Sequence, residues 1–186
     1  MPIAGVAPNR SAEYAEYMDF AVELADEAAA IARAQYGASV ARRKEDGSLV
    51  TRTDEQIDRL ISQRVGERFP GDTVLSEEQA THFDPAVQRT WIIDPIDGTE
   101  QFIAGIPTFG TIISLYYKNE PLAGLIDHPA LDVTTYAGAG LGIYCNGARL
   151  EQPCSGRQQK ERNVRIATAK RENFMRWSDD SAVFDA

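Results

Sequence analysis

The chain has 186 residues, 43% of them hydrophobic and 25% charged, which suits a globular protein with one sizeable core or two small ones. Acidic residues outnumber basic ones 28 to 19, a net charge of −9, which argues against non-specific nucleic-acid binding and against docking on an anionic membrane surface. No apolar stretch approaches the ~20 residues of a membrane span, no signal peptide is evident, and Cys145 and Cys154 read as reduced thiols of a cytoplasmic protein.

Met1 to Arg10 reads as loose. Ser11 is a fair N-cap for a helix predicted over 12–36, with Tyr14, Met18, Val22, Ala25, Ala29 and Ala32 as its apolar stripe and Gly37 as its stop. Arg42 to Ser48 is charged and ends in Asp46-Gly47, so it reads as a loop able to move, with Lys44 either solvated or a flexible cation near a site. Thr53 with Gln56 fits a capping box for a second helix, 54–69, whose apolar face is Ile57, Leu60, Ile61 and Val65. Asp54 then lies in the first helical turn, where the macrodipole favours an anion. Thr73 to Ser76 reads as a short strand followed by the acids Glu77-Glu78, and Thr81 to Val87 as a surface connection.

Trp91-Ile92-Ile93 reads as a buried strand that ends at Asp94-Pro95, since proline has no N–H for a ladder. Asp94 and Asp97 follow around a tight turn, and Gly98-Thr99 open a short helix beginning near Glu100. Beyond Thr108 the runs Thr111–Tyr117, Leu122–Ile126, Val133–Tyr136 and Gly142–Cys145 read as an antiparallel meander, with Asn146-Gly147 as a hairpin signal. His128, before Pro129, and His82 read as turn residues. Gln152 to Asn163 reads as a linker, Val164–Thr168 as a strand and Arg171–Trp177 as the start of a helix. The domain division expected from this is 1–152 and 153–186.

Two carboxylates held close at a strand end are costly unless a cation neutralises them, and hard divalent ions prefer oxygen ligands. If Glu77, Asp94 and Asp97 converge, Mg²⁺ ions can keep all three ionised, with the Ile96 carbonyl as a neutral ligand. Bound Mg²⁺ can orient a phosphate, stabilise the leaving oxygen and acidify an attacking water. Gly98 lets the backbone approach phosphate oxygens, and the N–H groups opening the short helix can hold an anion. The Thr99 hydroxyl can position the water, with Asp54 accepting its proton. The bland alternative is a calcium-like or purely structural turn.

The string Trp-Ile-Ile-Asp-Pro-Ile-Asp-Gly-Thr, residues 91–99, followed by Phe102, resembles the signature of the inositol monophosphatase family of Mg²⁺-dependent, lithium-sensitive sugar-phosphate phosphatases. The resemblance covers residues 12–175. Leu49-Val50-Thr51-Arg52-Thr53-Asp54 is similar to the segment bearing the family's catalytic Asp. Leu75-Ser76-Glu77-Glu78 is similar to its Gly-Glu-Glu, with Ser76 in place of Gly. The resemblance implies metal ligands at Glu77, Asp94, Ile96 and Asp97, catalytic roles for Asp54, Glu77 and Thr99, phosphate contacts at Gly98 and Thr99, and Lys44 in a mobile metal-site loop. The segment from Gly98 to Thr111 resembles the histidinol-phosphate phosphatase branch, where the inositol branch more often has Asn at the position of Gln101.

What the resemblance implies is an α+β, layered αβαβ(α) phosphatase fold, with two helices on a mostly antiparallel sheet and the second α/β half incomplete. It implies Mg²⁺ as cofactor, a small phosphate ester as partner (histidinol phosphate first, inositol monophosphate next) and a homodimer as the assembly. The alternative reading is a non-catalytic metal- or phosphate-binding relative that acts through association. The family's late Trp-Asp motif supplies a further metal ligand. Trp177-Ser178-Asp179-Asp180 is similar only superficially, lying too close to Asp97 to take that place. An incomplete second half would leave an apolar sheet face uncovered.

Overall fold

The computed structural model describes residues 11–45, 47–78, 89–118 and 120–151. The expectations placed on His82, on the 81–87 connection, on Cys154 and on everything from 152 onward lie outside them, as does that on Met1 to Arg10. All described residues belong to the unit Met1–Glu151.

Helix α1 spans Ser11–Gln35 and α2 spans Arg52–Arg68. Between them, β1 (Ala41–Arg43) and β2 (Leu49–Thr51) form an antiparallel hairpin. Then come β3 (Thr73–Ser76), β4 (Arg89–Asp97), the short helix α3 (Thr99–Ala104), β5 (Gly110–Tyr117) and β6 (Glu120–His128). A 3₁₀ turn over Pro129–Leu131 leads to β7 (Val133–Gly138), β8 (Gly142–Cys145) and β9 (Ala148–Leu150). The main sheet has seven strands in sequential order from β3 to β9, antiparallel except for the parallel pair β3–β4. Asn146 and Gly147 join β8 to β9 with φ of 49° and 78°, the two positive values a two-residue hairpin turn of matching twist requires.

One face of the sheet carries α1 and α2. The stripe on α1 is wider than a single row: Tyr17, Phe20, Leu24 and Ala28 are buried beside the expected positions, and Val22 is only partly buried. On α2, Ile57, Ile61 and Val65 are fully buried. Trp91 of β4 fills the centre, with the rings of Tyr17, Phe20 and Phe69 at 5.9–6.0 Å and its indole N–H donated to Asp72 at 2.9 Å. The other face alternates with these residues. On it Ile92 and Ile126 are 41% and 43% exposed, so this face is uncovered among the described residues.

Four expectations need correction. Of the charged 42–48 stretch, Arg42 and Arg43 belong to strand β1, and the rest is the connection of the β1–β2 hairpin, tied by Lys44 N–H to Ser48 O at 2.8 Å. The cap of α2 is Thr51, not Thr53: its hydroxyl accepts the Thr53 N–H, and Asp54 closes the box on the Thr51 N–H. His128 ends β6 rather than sitting in a turn. Strand β4 does not stop at Asp94-Pro95 but runs on to Asp97. Proline is tolerated there because β3 pairs only as far as Ile93, and a bulge on the β5 side leaves Pro95 and Ile96 out of the ladder. The Pro95 carbonyl is still satisfied, by the buried Thr111 hydroxyl at 2.8 Å.

Candidate functional site

The bulge decides what the two aspartates can do. In a regular strand, residues three apart face opposite sides of the sheet. Here Asp94 pairs with Ile112 and Asp97 with Gly110, so three steps on β4 span only two on β5. Pro95 and Ile96 both turn inward and are buried, and Asp94 and Asp97 both emerge on the face opposite the helices. Leu75, Glu77, Ile92, Asp94, Ile112 and Ser114 line a depression of about 500 Å³ there. Larger hollows lie along α1 and α2 and beside the hairpin, away from Asp94.

Glu77 follows β3 directly, and the parallel β3–β4 pairing brings it to the end of Ile93, with Glu77 N–H to Ile93 O at 3.4 Å. Glu77 and Asp94 line the depression side by side. Burial, then the negative charges of Glu77 and Asp97, push the Asp94 carboxyl up to about 8, and Asp54 adds to the effect. Among the described residues, no three acidic, histidine or cysteine side chains are grouped closely enough to hold a metal ion. The donors are hard oxygens, the set Mg²⁺ prefers, so Glu77, Asp94, Asp97 and the Ile96 carbonyl fit that metal.

Lys44 supplies the positive charge on hand. The β1–β2 hairpin carries it to 2.7 Å from Glu78 and 3.6 Å from Glu77, with its side chain only 20% exposed. This favours its reading as a cation at the site over that of a solvated loop lysine. Glu78, to which sequence reasoning gave no role, is the more buried of the two acids, and burial raises its carboxyl while Lys44 opposes the rise. The signal was the adjacent acid pair itself.

Asp54 is 1% exposed, and burial raises its carboxyl against the hydrogen bonds that lower it. One oxygen is occupied by Thr51, through the N–H at 2.9 Å and the hydroxyl at 2.5 Å. The other faces the Thr99 hydroxyl at 3.4 Å, and that hydroxyl is also 3.3 Å from the Ile96 carbonyl. A carboxylate oxygen therefore lies at the long end of hydrogen-bond reach of the Thr99 hydroxyl. Gly98 precedes α3 at φ 82°, and a Cβ there would stand 3.1 Å from Gln101 Oε1, so the left-handed backbone calls for glycine. The structure thus brings Asp54, Glu77, Asp94, Ile96, Asp97, Gly98 and Thr99 to one end of β3 and β4, and His128 stands two strands away.

A testable sign follows from the raised carboxyls. Asp94 binds its proton more tightly folded than unfolded between about pH 4 and about pH 8. Metal-free protein should therefore lose stability as pH rises through that window and level off above it. Added Mg²⁺ should raise the melting temperature more at pH 8.5 than at pH 6. A Mg²⁺ effect that is absent, or the same at both pH values, would contradict the site.

The family model "Inositol monophosphatase family" matches residues 13–181. A histidinol-phosphatase of Chlorobaculum parvum is 35% identical over 136 residues, covering 72% of this chain and 52% of that protein. A histidinol-phosphatase of Mycobacterium tuberculosis is 37% identical over 135 residues, covering 69% and 51%. A solved structure of an IMPase/NADP phosphatase complexed with Mg²⁺ and phosphate superposes with a TM-score of 0.70 at 23% identity, over 77% of this chain and 55% of that one, a likeness of fold. The chain spans about half the length of these relatives. Among the described residues no helix is long and apolar enough to cross a membrane.

Proposed function

The chain belongs to the inositol monophosphatase family, and from that premise we propose that it provides the metal- and phosphate-binding half of a Mg²⁺-dependent phosphomonoesterase whose substrate is histidinol phosphate, with inositol monophosphate the next candidate. The observation that carries this reading is the bulged end of β4, which puts Asp94 and Asp97 on one face beside Glu77. The substrate preference is supported by the two histidinol-phosphatase relatives and by Gln101.

When bound, Mg²⁺ orients the phosphate and offsets charge on the leaving oxygen. Glu77, Asp94, Asp97 and the Ile96 carbonyl would hold it. Gly98 keeps the backbone open to phosphate oxygens. Thr99 positions the attacking water through its hydroxyl, whose proton Asp54 accepts. Glu77 completes the water's surroundings. The family resemblance also supports a homodimer in the cytoplasm, with residues 153–186 beginning a second α/β domain. A second reading is a metal- or phosphate-binding relative acting through association.

The discriminating experiment follows phosphate release from histidinol phosphate and from inositol 1-phosphate, with and without Mg²⁺. We expect release that requires Mg²⁺ and is faster for histidinol phosphate. No release above blank at saturating Mg²⁺, with Mg²⁺ binding intact, would favour the second reading.

A further inference from the structure

Among the described residues, one histidine remains outside these roles. His128 closes β6, two residues beyond Ile126, and so projects from the same open face as Ile126, Ile112 and Asp94. Across the sheet it lies level with the end of β4. Asp97 pairs with Gly110, and the next pair on the far side of β5 is Thr111 with Asp127, which sets His128 beside Gly110. Asp97, Gly110 and His128 thus form a row over three strands.

At Gly110 that row is closed over by the neighbouring strand rather than by a side chain of its own. A Cβ there would stand 2.7 Å from the Asp127 carbonyl oxygen, 3.1 Å from His128 Nδ1 and 3.3 Å from His128 Cε1. The imidazole therefore leans over the Gly110 backbone, in space a side chain would take. Its Nδ1 lies 2.9 Å from the Phe109 carbonyl oxygen. A carbonyl only accepts, so Nδ1 carries the proton, and in the neutral ring Nε2 is left as the acceptor. No described residue bonds to Nε2. The ring is held at one nitrogen and presented at the other, two strand spacings from Asp97, on the order of 10 Å.

Resting on the phosphatase reading, we propose that His128 is a specificity-determining residue: Nε2 accepts a hydrogen bond from a donor on the alcohol part of the ester, an ammonium or hydroxyl group, once the phosphate is seated at Gly98 and Thr99, beside the acids of the metal site. The ester then lies along the row, between Asp97 and the imidazole that covers Gly110. The chemical class selected is a small phosphate monoester whose alcohol bears a hydrogen-bond donor several bonds from the phosphorus.

The test uses the full chain with Mg²⁺ and two probes: inorganic phosphate, and the non-hydrolysable phosphonate analogue of histidinol phosphate. His128→Asn keeps an N–H donor near the Nδ1 position, facing Phe109, and removes Nε2. Calorimetric titration should show unchanged affinity for phosphate and about three- to tenfold weaker affinity for the phosphonate, the worth of one hydrogen bond. In the unmodified chain, the His128 Nε2 resonance in a ¹⁵N spectrum should move on adding the phosphonate and not on adding phosphate, a readout that needs no folded variant. Equal phosphonate affinity in both proteins, parallel loss for both probes, or a silent Nε2 resonance would overturn the assignment. A wild-type chain that binds neither probe with Mg²⁺ would remove the phosphatase reading, and this inference with it.

Discussion

Asp97→Asn should abolish most Mg²⁺-dependent behaviour while leaving the fold as stable as before. The side chain is exposed at the end of β4, and no packing depends on it. Its charge acts on Asp94, whose carboxyl it helps push up to about 8. Neutralising it relieves repulsion, so metal-free Asp97→Asn should melt at or slightly above the wild-type temperature. With Mg²⁺ the order reverses, because an amide is a poorer ligand than a carboxylate. Partners that merely orient a ligand cost 10–100-fold in metal affinity when lost, so removing a ligand should cost on the order of 100-fold or more. Phosphate release should fall at least as far. Melting curves with and without Mg²⁺, beside a metal titration, provide the check. A variant that is destabilised without metal yet keeps its Mg²⁺ response would mean that the turn is a structural one.

Trp91→Ala should be the most damaging single change to the fold. Trp91 is fully buried, ringed by Tyr17, Phe20 and Phe69, and its N–H is bonded to Asp72. Truncating a buried tryptophan costs about 3–5 kcal/mol through lost transfer energy and the cavity left behind. Domains of this kind have a total stability of about 5–15 kcal/mol. A fall in melting temperature on the order of 10 °C follows. The strand anchored by Trp91 also delivers Asp94, so Mg²⁺ stabilisation should weaken with it. Trp91→Phe keeps most of the apolar area and loses the bond to Asp72, which should cost far less. Thermal unfolding of both variants separates packing from the hydrogen bond, and equal losses would show that the bond to Asp72 dominates.

Much of this architecture was legible because it is written in local patterns. The β5–β8 meander is a series of apolar runs cut by turn residues, and Asn146-Gly147 names its own hairpin. The acids of the site were legible through their spacing and their resemblance to a known signature. Other features depend on distant partners. Ala41–Arg43 has no strand-like alternation and becomes one only by pairing with Leu49–Thr51. The true cap of α2 lies at the end of that second strand. Thr53 and Gln56 fitted the capping pattern as well as Thr51 and Asp54, and only the position of β2 decides between them. Lys44 was ambiguous because a charged stretch looks the same whether water or two glutamates receive its ammonium. The course of β4 through Pro95 was hidden because proline ends strands in general. Here the bulge and the Thr111 hydroxyl remove the reasons for it to do so.

The bulge has a consequence for how this segment tolerates change. Its four residues divide into two pairs with separate constraints: Pro95 and Ile96 answer to core volume, Asp94 and Asp97 to charge. Substitutions drawn from different pairs should combine nearly additively in stability, whereas those within the acidic pair should be strongly epistatic, because each carboxylate sets the cost of the other. A combinatorial library over 94–97 should therefore resolve into two nearly independent alphabets, one apolar and one acidic, interleaved along a single strand.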